Sequence, residues 1–175
     1  MALPPYHKKL LLFVITFLYT GLLSKKIPGT VGSFGAMLFL FFLPPSLELV
    51  FGMAIFFFFL GTFCCNLYIT KYRYESSRDP RYIVIDEVCG VFLGAGIIYG
   101  FNMNSAWAIF INFLLFRVID ISKPFPIKFI EKSMKNRDRT VGLGIMLDDV
   151  LAAIFAAFLQ LALYFIIVQV QTGVR

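Results

Sequence analysis

The chain has 175 residues, of which 59% are hydrophobic, 22 are Phe and only 15% are charged. With a mean hydropathy of +0.83, a chain this short has too little interior to hide its apolar surface as a soluble domain. It is also far too apolar to be disordered. Sixteen Lys and Arg against ten Asp and Glu give a net charge of +6. In an apolar chain that excess points to anionic lipid at the cytoplasmic face of a membrane. No nucleic-acid-binding signature accompanies it. The length suits a single domain covering residues 1–175, with 1–27 as a basic, interfacial N-terminal segment.

In chain order, the apolar stretches are residues 10–23, 31–43, 47–69, 88–101, 106–119 and 150–170. Only 47–69 and 150–170 reach the roughly 20 residues that comfortably cross a hydrocarbon core. Basic residues set the expected topology. Lys8, Lys9, Lys25 and Lys26 flank the first stretch on both sides. Lys71, Arg73, Arg78 and Arg81 follow the third, and Lys123, Lys128, Lys132, Lys135, Arg137 and Arg139 follow the fifth. Placing every basic loop inside returns stretch 10–23 to its own side as an interfacial or re-entrant helix. The expected fold is therefore all-α: a polytopic helical membrane protein with about five spans, or four as the alternative. A signal peptide is the competing reading of 10–23, but no A-x-A-like cleavage site follows it. Phe56–Phe59 reads as lipid-facing bulk. Cys64, Cys65 and Cys89 read as soft apolar residues rather than a disulfide framework, and His7 as a solvated tail residue.

Small residues at helical spacing, Gly90 with Gly94 and Ala152, Ala153, Ala156 and Ala157, suit close helix packing in lipid. Each set follows an acidic residue. Asp86-Glu87 interrupts Ile83-Val84-Ile85 and Val88, and Asp148-Asp149 interrupts Ile145-Met146-Leu147 and Val150. Ionisable residues beside membrane segments are functional candidates by default. On the expected topology both doublets open outward spans on the cytoplasmic side. Arg117 and Asp120 close a returning span there, and Pro28-Gly29-Thr30 with Gly32-Ser33 precede another. A lone acid at a helix start is explained by the helix dipole. Two facing doublets repel, and a divalent cation relieves that repulsion. Oxygen ligands, with neither His nor a useful Cys, suit Mg²⁺ or Mn²⁺ rather than Zn²⁺. A Cys-x5-Arg loop, a P-loop, a Gly-x-Ser-x-Gly elbow and a histidine suited to catalysis are all missing from the sequence. The remaining groups suit metal-assisted attack of water on a phosphate.

Four segments, Pro28-Gly29-Thr30-Val31-Gly32-Ser33, residues 83–90, residues 116–127 and residues 142–149, occur in an order and spacing that resemble the phosphatidylglycerophosphatase A family of bacterial membrane lipid phosphatases. Val141 and Ala153 stand where that family often has Gly. The resemblance implies Mg²⁺-dependent hydrolysis of phosphatidylglycerophosphate to phosphatidylglycerol and phosphate at the cytoplasmic side of the bacterial inner membrane. Asp86, Glu87, Asp148 and Asp149 are the expected metal-site and catalytic carboxylates. Asp120 is a further ligand or the partner that orients Arg117, three residues back on the same helix face. Arg117 and Lys123 are the candidate phosphate holders. Thr30, Gly32 and Ser33 form a hydroxyl-bearing turn at a helix start where N–H groups favour an anion; a plain N-cap by Thr30 or Ser33 is the alternative. Pro124 and Pro126 end the helix. Phosphatidic acid is the alternative substrate. A cation transporter, or a structural protein whose acids cap helices, is the alternative class.

Overall fold

The computed structural model describes residues 5–44, 46–72, 80–125, 127–129 and 141–172. The basic stretch 130–140, Arg73, Arg78, Pro126 and Arg175 lie outside the described residues. Among those described, regular structure is entirely helical: α1 (Pro5–Ile15), α2 (Pro28–Phe41), α3 (Leu47–Tyr72), α4 (Ile85–Tyr99), α5 (Ala106–Ser122) and α6 (Val141–Thr172), with a 3-10 turn at Thr20–Leu22.

Two helices are long and apolar enough to cross a bilayer, α3 and residues Val141–Gln171 of α6. Only 28% and 33% of their most apolar stretches is buried, unlike the core helix of a soluble domain. Their outer faces carry Phe56, Phe59 and Phe63 on α3, and Phe155, Phe158, Phe165 and Ile166 on α6. An apolar surface of that extent is suited to lipid. The expected five full spans are not supported. Helices α2, α4 and α5 have 14, 15 and 17 residues, or about 21–26 Å at the helical rise, short of a core about 30 Å thick. Within the Phe56–Phe59 run, Phe57 turns inward instead, meeting Phe17 and Phe92 edge-on or tilted.

Helix α4 is the axis of the bundle and packs against α2, α3, α5 and α6. All its residues are buried except Glu87, Leu93 and Ile97. Its small residues make this possible. A Cβ on Gly90 would lie 2.6 Å from the Phe116 ring of α5, and one on Gly94 would collide with Asn112 Oδ1 of the same helix. Ala152, Ala153, Ala156 and Ala157 of α6 are fully buried. Cys64, Cys65 and Cys89 are buried and form no disulfide among the described residues.

The first apolar stretch is not one helix. Helix α1 stops at Ile15, and Phe17, Leu18 and Tyr19 all take left-handed backbone, with φ of 43°, 57° and 64°. Such residues cost about 1–2 kcal/mol each outside Gly. Tertiary contacts hold the reversal in place. Fully buried Thr16 accepts the Gly21 N–H at 3.0 Å, and Ile15 O accepts the Val84 N–H at 2.9 Å. The chain therefore turns back and clamps the segment that leads into α4.

The two ends of the bundle differ in charge. Lys71, Arg81, Arg117 and Lys123 lie at the end where α3 and α5 finish and α2 and α4 begin. At the opposite end, the described residues of 42–48 and 99–107 include one charged side chain, Glu48.

Candidate active site

The basic end contains a cleft of about 590 Å³. Four helices supply its walls. Asp86 and Glu87 sit in the first turn of α4, where the helix dipole favours negative charge. Asp149 comes from α6, brought close by Gly90, whose Cβ would lie 3.3 Å from Asp149 O. One carboxylate oxygen each from Asp86, Glu87 and Asp149 lies within 4.8 Å of the others.

Asp148-Asp149 was expected to open its helix. Instead α6 begins at Val141, so the doublet lies two turns inside. Gly142 permits that early start: a Cβ there would strike Thr62 O and approach Asn66 N of α3 to 2.8 Å. Neighbouring helix residues point about 100° apart, and the doublet divides accordingly. Asp149 joins the cluster, whereas Asp148 Oδ2 accepts from Lys123 Nζ at 2.5 Å.

Arg117 Nη1 donates to Asp120 Oδ2 at 2.7 Å and lies 3.8 Å from Glu87 Oε1, while Nη2 donates to Thr30 Oγ1 at 3.4 Å. Asp120 thus pairs with Arg117. Lys123 takes left-handed backbone at the end of α5, with φ 42°, and its N–H closes on Ile119 O. Pro124, next in sequence, disfavours a continued helix.

The α2 start is only partly as expected. Its N-cap is Ile27, with no side-chain cap, and Pro28 opens the first turn. Gly29 and Thr30 line the cleft, at helix positions whose N–H groups have no partner within the helix. Gly32 and Ser33 do not line it. Gly32 presses on Val84, 2.6 Å from a would-be Cβ, and the buried Ser33 Oγ donates to Gly29 O at 2.6 Å. Sequence reasoning passed over Gly29 as a site residue. A Cβ there would collide with Glu87 Oε1 and come within 3.2 Å of Arg117 Nη2. Its only sequence signal is its place between Pro28 and Thr30. Lys26 and Arg81 also line the cleft and read in sequence only as members of basic runs.

The donor set fits a hard divalent cation. Charges within 4.8 Å of one another repel by about 3.5 kcal/mol or more per pair at an effective dielectric of ~20. Glu87 Oε2 and Asp149 Oδ2 are buried without a hydrogen-bond partner among the described residues, a costly state for carboxylate oxygens. Arg117 answers only part of this charge because it also serves Asp120. Cys89, three residues beyond Asp86, is turned away, its thiol donating to Ala54 O at 3.4 Å.

These features define a class: a helical protein with a bilayer-compatible exterior and a carboxylate- and cation-lined cleft suited to a phosphate ester. Comparison with known proteins gives the family. The sequence model of phosphatidylglycerophosphatase A matches residues 13–164, and the chain belongs to that family of phosphatases. It is 34% identical to phosphatidylglycerophosphatase A of Haemophilus influenzae over 142 residues, 79% of each chain. It is 30% identical to phosphatidylglycerophosphatase A of Escherichia coli K12 over 150 residues, 82% of this chain and 76% of that one. A Bacteroides thetaiotaomicron protein provisionally named a phosphatidylinositol-3-phosphatase is 31% identical over 140 residues, 75% of this chain and 80% of that one. No solved structure matches.

Proposed function

We propose that the chain hydrolyses the phosphomonoester of phosphatidylglycerophosphate, giving phosphatidylglycerol and inorganic phosphate in a Mg²⁺-dependent reaction (Mn²⁺ being the alternative ion). The carrying observation is that the Asp86, Glu87 and Asp149 cluster shares one cleft with Arg117, Lys123 and the first turn of α2. Asp86, Glu87 and Asp149 would hold the cation, which supplies charge neutralisation and Lewis-acid polarisation of the phosphoryl group when bound. Arg117, fixed by Asp120 and Thr30, and the N–H groups of Gly29 and Thr30 bind phosphoryl oxygens. A cluster carboxylate takes the proton of the attacking water. The P–O bond to the glycerol breaks, and that proton passes to the departing oxygen, which leaves as the headgroup hydroxyl. Lys123 and Asp148 hold each other beside the phosphate.

The charge difference between the two ends supports a multi-pass arrangement in the bacterial cytoplasmic membrane, with the cleft on the cytoplasmic side near anionic lipid. The acids gather at one end of the bundle, which disfavours a midplane cation pathway. The names of the relatives favour one second reading. Phosphatidylglycerophosphate and phosphatidylinositol 3-phosphate both carry a phosphomonoester on the polyol of a phosphodiester lipid, so a phosphoinositide is the competing substrate.

The test is phosphate release by purified protein in neutral detergent from phosphatidylglycerophosphate, phosphatidylinositol 3-phosphate and phosphatidic acid. The highest kcat/KM is expected for the first. Preference for either other lipid transfers the assignment to it, and release from none overturns the phosphatase reading.

A further inference from the structure

Two cations of the cleft are engaged by none of its described carboxylates. Lys26 and Arg81 line it beside Arg117 and Lys123. The latter two are engaged with Asp120, Glu87 and Asp148. Lys26 and Arg81 are exposed and enter no ion pair with a described residue. Their backbones are nonetheless fixed. Ser24 Oγ accepts the N–H groups of Lys26 and Ile27 at 3.3 and 3.2 Å, turning the chain into Pro28. Arg81 lies in a turn closed by the Ile83 N–H on Pro80 O at 2.9 Å. Its neighbour Tyr82 meets the Tyr68 hydroxyl at 3.1 Å, and Gly21 is pressed against the Tyr82 carbonyl. Lys26 precedes α2 and Arg81 precedes α4, the two helices whose first turns face the carboxylates. Each cation thus lies a few residues before a helix whose first turn lines the cleft. The same cleft has apolar borders, Ile27 and Ile121, which are 56% and 70% exposed. A purely ionic ligand has no use for them.

We propose that Lys26 and Arg81 form a second anion subsite, which takes the phosphodiester of the substrate lipid while Arg117 and the α2 first turn take its terminal phosphomonoester. Ile27 and Ile121 border the glycerol and the first acyl carbons. The inference rests on the lipid-phosphatase reading and deepens it. The cleft selects a lipid with two phosphates separated by a short polyol, and it discriminates against phosphatidic acid, whose single phosphate is the monoester.

The test compares the parent, Lys26→Gln/Arg81→Gln, and a charge-matched control, Lys25→Gln/Lys128→Gln, whose positions do not line the cleft. Binding of a short-chain phosphatidylglycerol, which has the diester but no monoester, is measured by titration calorimetry independently of turnover. In the subsite variant we expect affinity for it to fall, and KM for phosphatidylglycerophosphate to rise, by about tenfold or more, the scale of two charge-assisted contacts. Inhibition by inorganic phosphate, which reads the monoester subsite, is expected to stay within about twofold of the parent, because Arg117 keeps its partners. Equal losses in the control overturn the proposal in favour of general attraction to an anionic surface, and unchanged affinity in the subsite variant overturns it outright. A parent that binds phosphatidylglycerol through these residues but releases no phosphate supports the subsite while sinking the phosphatase reading.

Discussion

The two acidic doublets look alike in sequence, each interrupting an apolar run, yet the fold uses them differently. Asp86-Glu87 lies in the first turn of α4, and both side chains face the cluster. Asp148-Asp149 lies two turns inside α6, and its members separate, Asp149 to the cluster and Asp148 to Lys123. In the first turn of α4, which is held through the Val84 N–H on Ile15 O, both carboxylates reach one point. Inside a packed helix, the angle between neighbours sends them to different partners. Adjacent acids in a sequence are therefore not interchangeable ligands, and the way to separate them is to replace them singly.

The largest effect is expected at Asp149. Asp149→Asn keeps the shape but removes a buried cluster charge, and kcat/KM for the lipid phosphomonoester should fall on the order of a thousandfold, with the helical circular dichroism unchanged. Next is Gly29→Ala. Its methyl collides with Glu87 Oε1, so the Glu87 carboxylate must shift, and a misplacement of about 1 Å costs on the order of a hundredfold in kcat. Steady-state kinetics at saturating lipid checks this. Asp148→Asn should cost less, about tenfold, the lower range for a residue that acts through a neighbour. Lys123→Gln combined with Asp148→Asn should cost little more than either alone, because the two residues serve one contact. Additive losses in that cycle would mean that Asp148 acts outside the pair. The smallest effect is expected at Gly52→Ala, on an open stretch of α3 with nothing within 4 Å of its Cβ position. It should leave activity unchanged and raise helix stability by at most about 1 kcal/mol, read from the thermal midpoint in detergent.

Much of the cleft is legible in the sequence, because expensive residues stand out against apolar runs. Asp86, Glu87, Asp148 and Asp149 break such runs, and the three-residue spacing of Arg117 and Asp120 puts both on one helix face. What is not legible depends on tertiary contact. Gly32 and Ser33 share a motif with Thr30, but one presses on Val84 and the other bonds back to Gly29. Nothing local distinguishes these from cleft residues. Phe17, Leu18 and Tyr19 favour right-handed or extended backbone, so their left-handed reversal is set by the contacts of Ile15 and Thr16 rather than by propensity. The start of α6 is likewise fixed by the fit of Gly142 against α3, which no periodicity in 141–147 announces. Lys26 and Arg81 are hidden for the opposite reason, as two basic residues among many.

The most direct test titrates Mg²⁺ into metal-stripped parent, Asp149→Asn and Asp148→Asn proteins while following phosphate release from phosphatidylglycerophosphate. The account predicts that EDTA abolishes the parent's activity and that Asp148→Asn responds at nearly the parent's Mg²⁺ concentration. Asp149→Asn should stay inactive or need about tenfold more Mg²⁺ or beyond. Activity independent of Mg²⁺ and of EDTA, or the same Mg²⁺ response in both variants, would contradict it.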